Sequence, residues 1–321
     1  MPRLIRQTVI LAKVETTSGV DAVPTGALNA LQVTDFSVTP LDANNVDTNI
    51  LLPYFGGSPS LVGTASVKCS FTVLLAGSGT AATAPAWGAL LQGCGMAETT
   101  GLITPARVEY LPITDLLKTL TIYYYDSGVL HKLLGAFGNV KLTAKVGEAP
   151  KLMFDMVGLD GGITAVSNAT AVLTNWRTPV AITKANVTDI SIGCTYATGT
   201  LSGGTAYNST GLTLDFGNKV DFVPMLTTEE VILTDRKVTG SMSIELTPAQ
   251  EVSFMATVKA NTLTGLGFVI GTATGNRIMI HQPATQLINP KKEEINGKRI
   301  IGYDIRAVPV AGNDEIRLIS L

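Results

Sequence analysis

The sequence predicts a mainly β chain built as a duplicated unit, each copy carrying one short helix. Three observations predict it. First, apolar and polar side chains alternate over two matched stretches. Val67, Cys69, Phe71 and Val73 alternate with Lys68, Ser70 and Thr72. In the second half Val238, Met242, Ile244 and Leu246, with Gly240 in line, alternate with Thr239, Ser241, Ser243 and Glu245. Period-two alternation marks a strand with one buried face. Second, each stretch runs into a helix candidate with a proline near its start, Pro85 or Pro248. Third, each copy closes on an aromatic–Asp–apolar strand, Phe154-Asp155-Met156 and Tyr303-Asp304-Ile305. A β unit written twice with no catalytic constellation predicts a building block for an assembly.

Taken in order, residues 7–14 and 31–39 predict strands. Residues 40–64 do not, because Pro40, Pro53, Pro59, Gly56, Gly57 and Gly63 interrupt them. This stretch also holds Ile50, Leu51, Leu52, Tyr54 and Phe55, whose apolar character argues against disorder. It predicts either an extended arm that docks on a neighbour or a loop folded over its own core. Residues 65–75 predict a strand, followed by a short helix near 84–94 in which Trp87, Leu90, Leu91 and Cys94 share one face. Strand 105–111 follows. Residues 119–134 predict a hairpin turning at Asp126-Ser127-Gly128, and strands 137–146 and 151–159 come next.

The Gly/Ala/Thr/Asn-rich residues 160–180 predict the boundary between the halves. The second half opens on Val187-Thr188-Asp189-Ile190-Ser191-Ile192, close to Val33-Thr34-Asp35-Phe36-Ser37-Val38, and a Gly/Thr/Ser stretch covers 197–211. A helix over 248–260 is signalled by Thr247 as cap, Pro248 at the first position and Gln250 completing a capping box, with Val252, Met255, Ala256 and Lys259 on one face. Strands near 266–272, 276–281, 299–309 and 315–320 finish the chain. The second copy is shorter by roughly one hairpin, and the Tyr123-Tyr124-Tyr125 hairpin shows no counterpart in it.

Composition narrows function. With 321 residues the chain is long enough for two domains, each with its own core. Charged residues are only 15%, against about 25% in an ordinary soluble domain. So much neutral surface favours burial against copies of the same chain, although a Thr/Ser/Gly-rich β protein also stays soluble through its hydroxyls. A net charge of −2 argues against strong nucleic-acid binding. Cys69, Cys94 and Cys194 lack metal spacing and read as small core hydrophobes in a reducing compartment. No signal peptide, and no apolar run near the ~20 residues of a membrane helix, is expected.

Chemistry is absent from the pattern. His131 and His281 are the only histidines, and neither has a ligand at metal spacing. Asp126, Glu148, Asp155 and Asp160 cluster in sequence, but three of them fall at turns or strand ends and read as solvated or lysine-paired. Asp155 and Asp304 stand out because they recur at matching places. No enzyme, cofactor or metal site is expected.

The block Ile122-Tyr123-Tyr124-Tyr125 through Gly128, His131-Lys132-Leu133, Gly135-Ala136, Gly138, Gly147-Glu148, Pro150, Phe154 and Gly158-Leu159 resembles one found in tail tube proteins of siphophages and related prophages. So do Leu11-Ala12-Lys13-Val14-Glu15-Thr16-Thr17 with Val23-Pro24-Thr25, Ser37-Val38-Thr39-Pro40-Leu41, and Leu75-Ala76-Gly77-Ser78-Gly79-Thr80 leading into Ala84-Pro85-Ala86-Trp87-Gly88. The resemblance covers about residues 8–160; the second half joins it only through the repeat. It implies two tandem tail-tube-type β-sandwich/barrel domains, 1–178 and 179–321, each with one short flanking α-helix. It implies a virion structural protein of the tail, assembled in the host cytoplasm. Its rings merge their inner strands into one barrel and stack into a tube that delivers DNA without sequence-specific binding.

Single-domain members form hexameric rings, so a duplicated chain makes an equivalent ring as a trimer. The 40–64 arm, with Ile50, Leu51, Leu52, Tyr54 and Phe55, then joins neighbouring rings or subunits. Expected partners are further copies of the chain, the tape measure inside the tube, the tail terminator and the distal tail protein, with no membrane. Ser70, Thr72, Asp155, Ser241, Ser243 and Asp304 are the lumen-facing candidates. Lys68, Lys141 and Lys145 on the same strands leave two alternatives: these faces point outward, or nearby carboxylates compensate. The competing reading is a two-domain receptor- or carbohydrate-binding tail module, which needs aromatics exposed on a rigid face.

Overall fold

A computed structural model describes Leu4 and residues 7–321 of the chain. The described residues form eighteen strands and two helices. Sixteen strands join one sheet, antiparallel throughout.

The first half opens with β1 (Thr8–Val14), β2 (Val33–Asp47) and β3 (Ser60–Leu74). Most of the stretch expected to be irregular is therefore strand: β2 and β3 continue outward as a hairpin, leaving 48–59 as its tip. Pro40 is tolerated because β2 lies at the end of the sheet order and its register slips between Thr39 and Asp42. Helix α1 (Gly88–Gln92) is shorter than 84–94. Its N-cap is Trp87, without a side-chain bond, so Pro85 and the expected caps stand before it. Its predicted face holds: Trp87, Leu90, Leu91 and Cys94 are all buried.

Next comes β4 (Met96–Ile103), unpredicted, paired with β5 (Ala106–Pro112). β6 (Leu120–Asp126) turns through Ser127 and Gly128, both at positive φ, into β7 (Val129–Lys145), as a two-residue hairpin requires. The two strands expected across 129–146 are one long strand, which bends at a register slip between Leu134 and Phe137, beside Gly135 at positive φ. β8 (Lys151–Ala165) pairs along it.

In the second half the strands are β9 (Ile190–Ala197), β10 (Thr200–Tyr207), β11 (Ser209–Asp215), β12 (Asn218–Pro224), β13 (Glu229–Arg236) and β14 (Thr239–Ile244). Then follow α2 (Pro248–Lys259), β15 (Leu263–Ile270), β16 (Ile278–Ile295), β17 (Lys298–Ala307) and β18 (Arg317–Ser320). α2 carries the expected capping box at Thr247 and Gln250. Its buried residue is Phe254, however, while Val252 on the predicted face is exposed. β16 runs well past the expected end at 281, with Pro283 and Pro290 accommodated at its two register slips.

The halves share one pairing order. β1-β6-β7-β8-β3-β2 in the first is matched by β9-β15-β16-β17-β14-β11 in the second. This order corrects two sequence expectations. β9 takes the place of β1, not of β2, so the likeness of 187–192 to 33–38 is compositional. The hairpin missing from the second half is β4–β5, because α2 runs directly into β15; the counterpart of β6–β7 is β15–β16, whose turn lacks the aromatics that would reveal it.

One buried cluster runs through both halves, holding Phe71, Trp87, Leu142 and Phe154 together with Leu214, Met242, Tyr303 and Leu318. Two seams join the halves. β11 pairs with β7, and β18 pairs with both β16 and β5.

Candidate functional site

The polar face of the long sheet repeats residue by residue. Ser70 stands opposite Asp155, and Ser241 stands opposite Asp304. The Ser70 hydroxyl donates to Asp155 at 2.8 Å. Ser241 instead shares a 2.7 Å hydrogen bond with Thr213, and Asp304 accepts from Asn289 at 2.9 Å. Each carboxylate faces a lysine. Lys141 Nζ lies 3.6 Å from Asp155 and 3.7 Å from Asp215, and Lys291 Nζ lies 3.9 Å from Asp304. Lys68 pairs with Asp42, and the Ser243 hydroxyl donates to Glu293 at 2.7 Å. Of the two alternatives for the lysines, carboxylate compensation is therefore present for Lys68 and Lys141. Pairs this exposed contribute at most about 1 kcal/mol each; their effect is to leave the face hydroxylated and nearly charge-balanced. Thr72 shares the face by parity but is buried, so it presents no hydroxyl to solvent. Sequence reading missed Asp215, which reaches this face through the long-range pairing of β11 with β7, and Lys291, which reaches it through the register of the β16–β17 hairpin.

The 40–64 segment does not fold back on its own core. Thr48 clasps the tip by donating from its hydroxyl to Pro59 O at 2.7 Å, and Ser58 Oγ accepts from Ile50 N at 3.1 Å. Beyond this clasp Ile50, Leu51, Leu52, Tyr54 and Phe55 are all exposed, Leu51 at 98%. A second apolar tip, Met225 and Leu226 on the β12–β13 hairpin, stands at the matching place between β11 and β14 and is likewise exposed. Its apolar pair after Pro224 was a legible signal that went unread.

Several strand edges are open among the described residues, those of β4 and β10 included, and two of them occupy places equivalent to the filled β11–β7 seam. β2 pairs only with β3. β16 pairs with β15 only as far as Gln286, so the rest of that edge, out to Ile295, has no partner.

Buried chemistry lies at the seam. Glu109 on β5 accepts hydrogen bonds from Arg107 at 2.6 Å, Tyr196 at 2.5 Å and Arg317 at 3.2 Å. Burial pushes its carboxyl up, but these donors and the two arginine charges outweigh it and hold it below the usual range. His281 packs beside the Tyr196 ring. Burial first, then the Arg317 charge, lowers its imidazole to about 4. His131 lies against Tyr124. The cysteines are buried thiols, and burial pushes Cys69 up to about 12. No group of three His, Cys, Asp or Glu side chains among the described residues is placed to hold a metal. No helix among them is long and apolar enough to cross a membrane.

Both tryptophans are anchored inward, Trp87 donating to Ala76 O at 2.7 Å and Trp176 to Ala30 O at 2.9 Å. The exposed aromatics Tyr54 and Phe55 sit on a hairpin tip, not on a rigid face. No curated protein matches the chain. A family model described as phage tail tube protein matches residues 5–314.

Proposed function

The chain belongs to the phage tail tube protein family, a structural component of the virion tail, and from that premise we propose that it self-assembles into rings whose stacking forms the tube. Each chain is two tandem tube-type domains, divided near residue 178, and fills two ring positions, so that three chains close a pseudo-hexameric ring. The observation that carries this reading is the strand order written twice in one sheet and joined at β11–β7.

The face bearing Ser70, Asp155, Ser241, Ser243 and Asp304 lines the channel. Its paired lysines and carboxylates let DNA pass without being held, because phosphate binding needs uncompensated cations. The exposed tip from Ile50 to Phe55 contacts an adjacent ring. The tape measure, tail terminator and distal tail protein are its further partners, and assembly takes place in the host cytoplasm.

Negative-stain microscopy of the concentrated protein tests this reading. Hollow tubes whose end-on averages show three-fold symmetry are expected. A protein that stays monomeric at every concentration sinks the reading; six chains per ring sinks only the stoichiometry.

A further inference from the structure

The seam inside the chain is a template for the seam between chains. β11 lies against β7 with Thr213 opposite Thr143, Leu214 opposite Leu142 and Asp215 opposite Lys141. In the shared strand order, β11 corresponds to β2 and β7 to β16. β2 and the outer part of β16, the equivalents of the two strands in the filled seam, are both open. A chain with one seam filled internally and both halves of a second seam exposed is a head-to-tail unit, since a heterologous interface of this kind propagates from copy to copy.

Register follows from the repeat. Ser70 and Ser241 are equivalent through Asp155 and Asp304, so Ser37 (opposite Ser70) corresponds to Thr213 (opposite Ser241). Counting along β8 and β17 in the same way, Thr143 corresponds to Glu293 and Lys141 to Lys291. The backbone agrees: Asp35 and Gly211, at equivalent places, are both at positive φ.

We infer that β2 of one copy pairs antiparallel with the outer part of β16 of the next, with Ser37 opposite Glu293, Val38 opposite Lys292 and Thr39 opposite Lys291. This rests on the ring reading above and specifies its joint. Burial supports it. Leu212 and Leu214, in the filled seam, are fully buried, whereas their counterparts Phe36 and Val38 are only half-buried and await a cover. The two seams differ in character. Where β7 offers Leu142 and Ala144, both buried, β16 offers exposed Lys292 and Glu294. The aliphatic stem of Lys292 covers Val38, and the charges keep an open edge from pairing indiscriminately before the correct partner arrives.

Paired cysteines test the register. Opposed residues of an antiparallel pair lie within disulfide reach. Ser37→Cys with Glu293→Cys, oxidised after assembly, should convert most of the monomer band into disulfide-linked multiples on a non-reducing gel. Ser37→Cys with Lys291→Cys, a diagonal pair, should remain monomeric. Equal or stronger linkage in the diagonal pair, or none in either while microscopy shows tubes, overturns the inferred joint and leaves the ring reading intact. Failure of the unmutated protein to assemble overturns both. Independently of any variant, hydrogen exchange on the natural sequence should show residues 33–39 and 287–295 protected in tubes and open in monomers; unchanged exchange at either segment overturns the joint.

Discussion

Glu15 is a buried carboxylate at the end of β1 with its acceptor capacity filled. It receives Thr119 Oγ1 at 2.6 Å, Thr121 Oγ1 at 2.7 Å, and the backbone N–H groups of Gly19 and Gly135 at 2.8 Å. It thereby ties β1, β6 and the bend of β7 into one unit, and its buried oxygens are satisfied by donors. His281 is the opposite case. Its Nε2 has no partner and its ring is buried, so the neutral form is the one the fold accommodates. The folded value, about 4, lies below the ordinary ~6.5. Between these limits the unfolded chain binds the extra proton, so stability is complete above pH ~6.5 and falls as the pH drops toward ~4. Glu109 adds a loss in the same direction below the ordinary carboxylate range, because its folded value is also depressed. His281→Phe should therefore flatten the fall in melting temperature between pH 6.5 and 4. A variant whose melting temperature declines as steeply as the natural sequence would show that the histidine is not responsible.

Elements differ in how plainly they were written. Strands whose two faces contrast, such as β3, β7 and β14, were legible because one side meets a core and the other meets water. β10 was hidden by Gly203 and Gly204, although its pairing with β9 runs through them in constant register, and the outer half of β16 by Pro290, which sits at a slip that the paired strand makes tolerable. The start of α2 was legible from its cap, but its buried face was not, since Phe254 meets Tyr207 and Tyr303 across the fold rather than following a helical stripe. At the candidate site, the matched Ser–Asp pairs were legible from the repeated signature. The lysines that balance them depend on register, and the open edges depend on knowing every pairing. The arm was recognised by its apolar content and misjudged in conformation, because hairpin strands in solvent show no alternation to read. Replacing Leu51 and Phe55 together by serine should leave the monomer's melting temperature unchanged, as neither is buried. It should also shorten or abolish tubes while single rings persist in micrographs. Tubes of full length would remove the arm from ring stacking.

At the scale of the whole molecule, the shared buried cluster and the two seams make the halves mutually dependent. The outer sequence elements are clasped together by β18, whose Leu318 and Ile319 are fully buried between β16 and β5. Thermal unfolding of the monomer should consequently appear in calorimetry as one transition with matching calorimetric and van't Hoff enthalpies. Two resolved transitions would mean that each half is stable alone.

The same clasp has a mechanical consequence. β5 belongs to the hairpin that the second half lacks, so in the proposed ring β18 braces the joint within each chain and nothing braces the joint between chains. Stiff arcs would then alternate with compliant corners around the circumference. When the tube flexes or is twisted, strain would collect at the β2–β16 corners, sparing the covalently continuous arcs. The wall would yield by small rotations at a few soft points and keep its bore open.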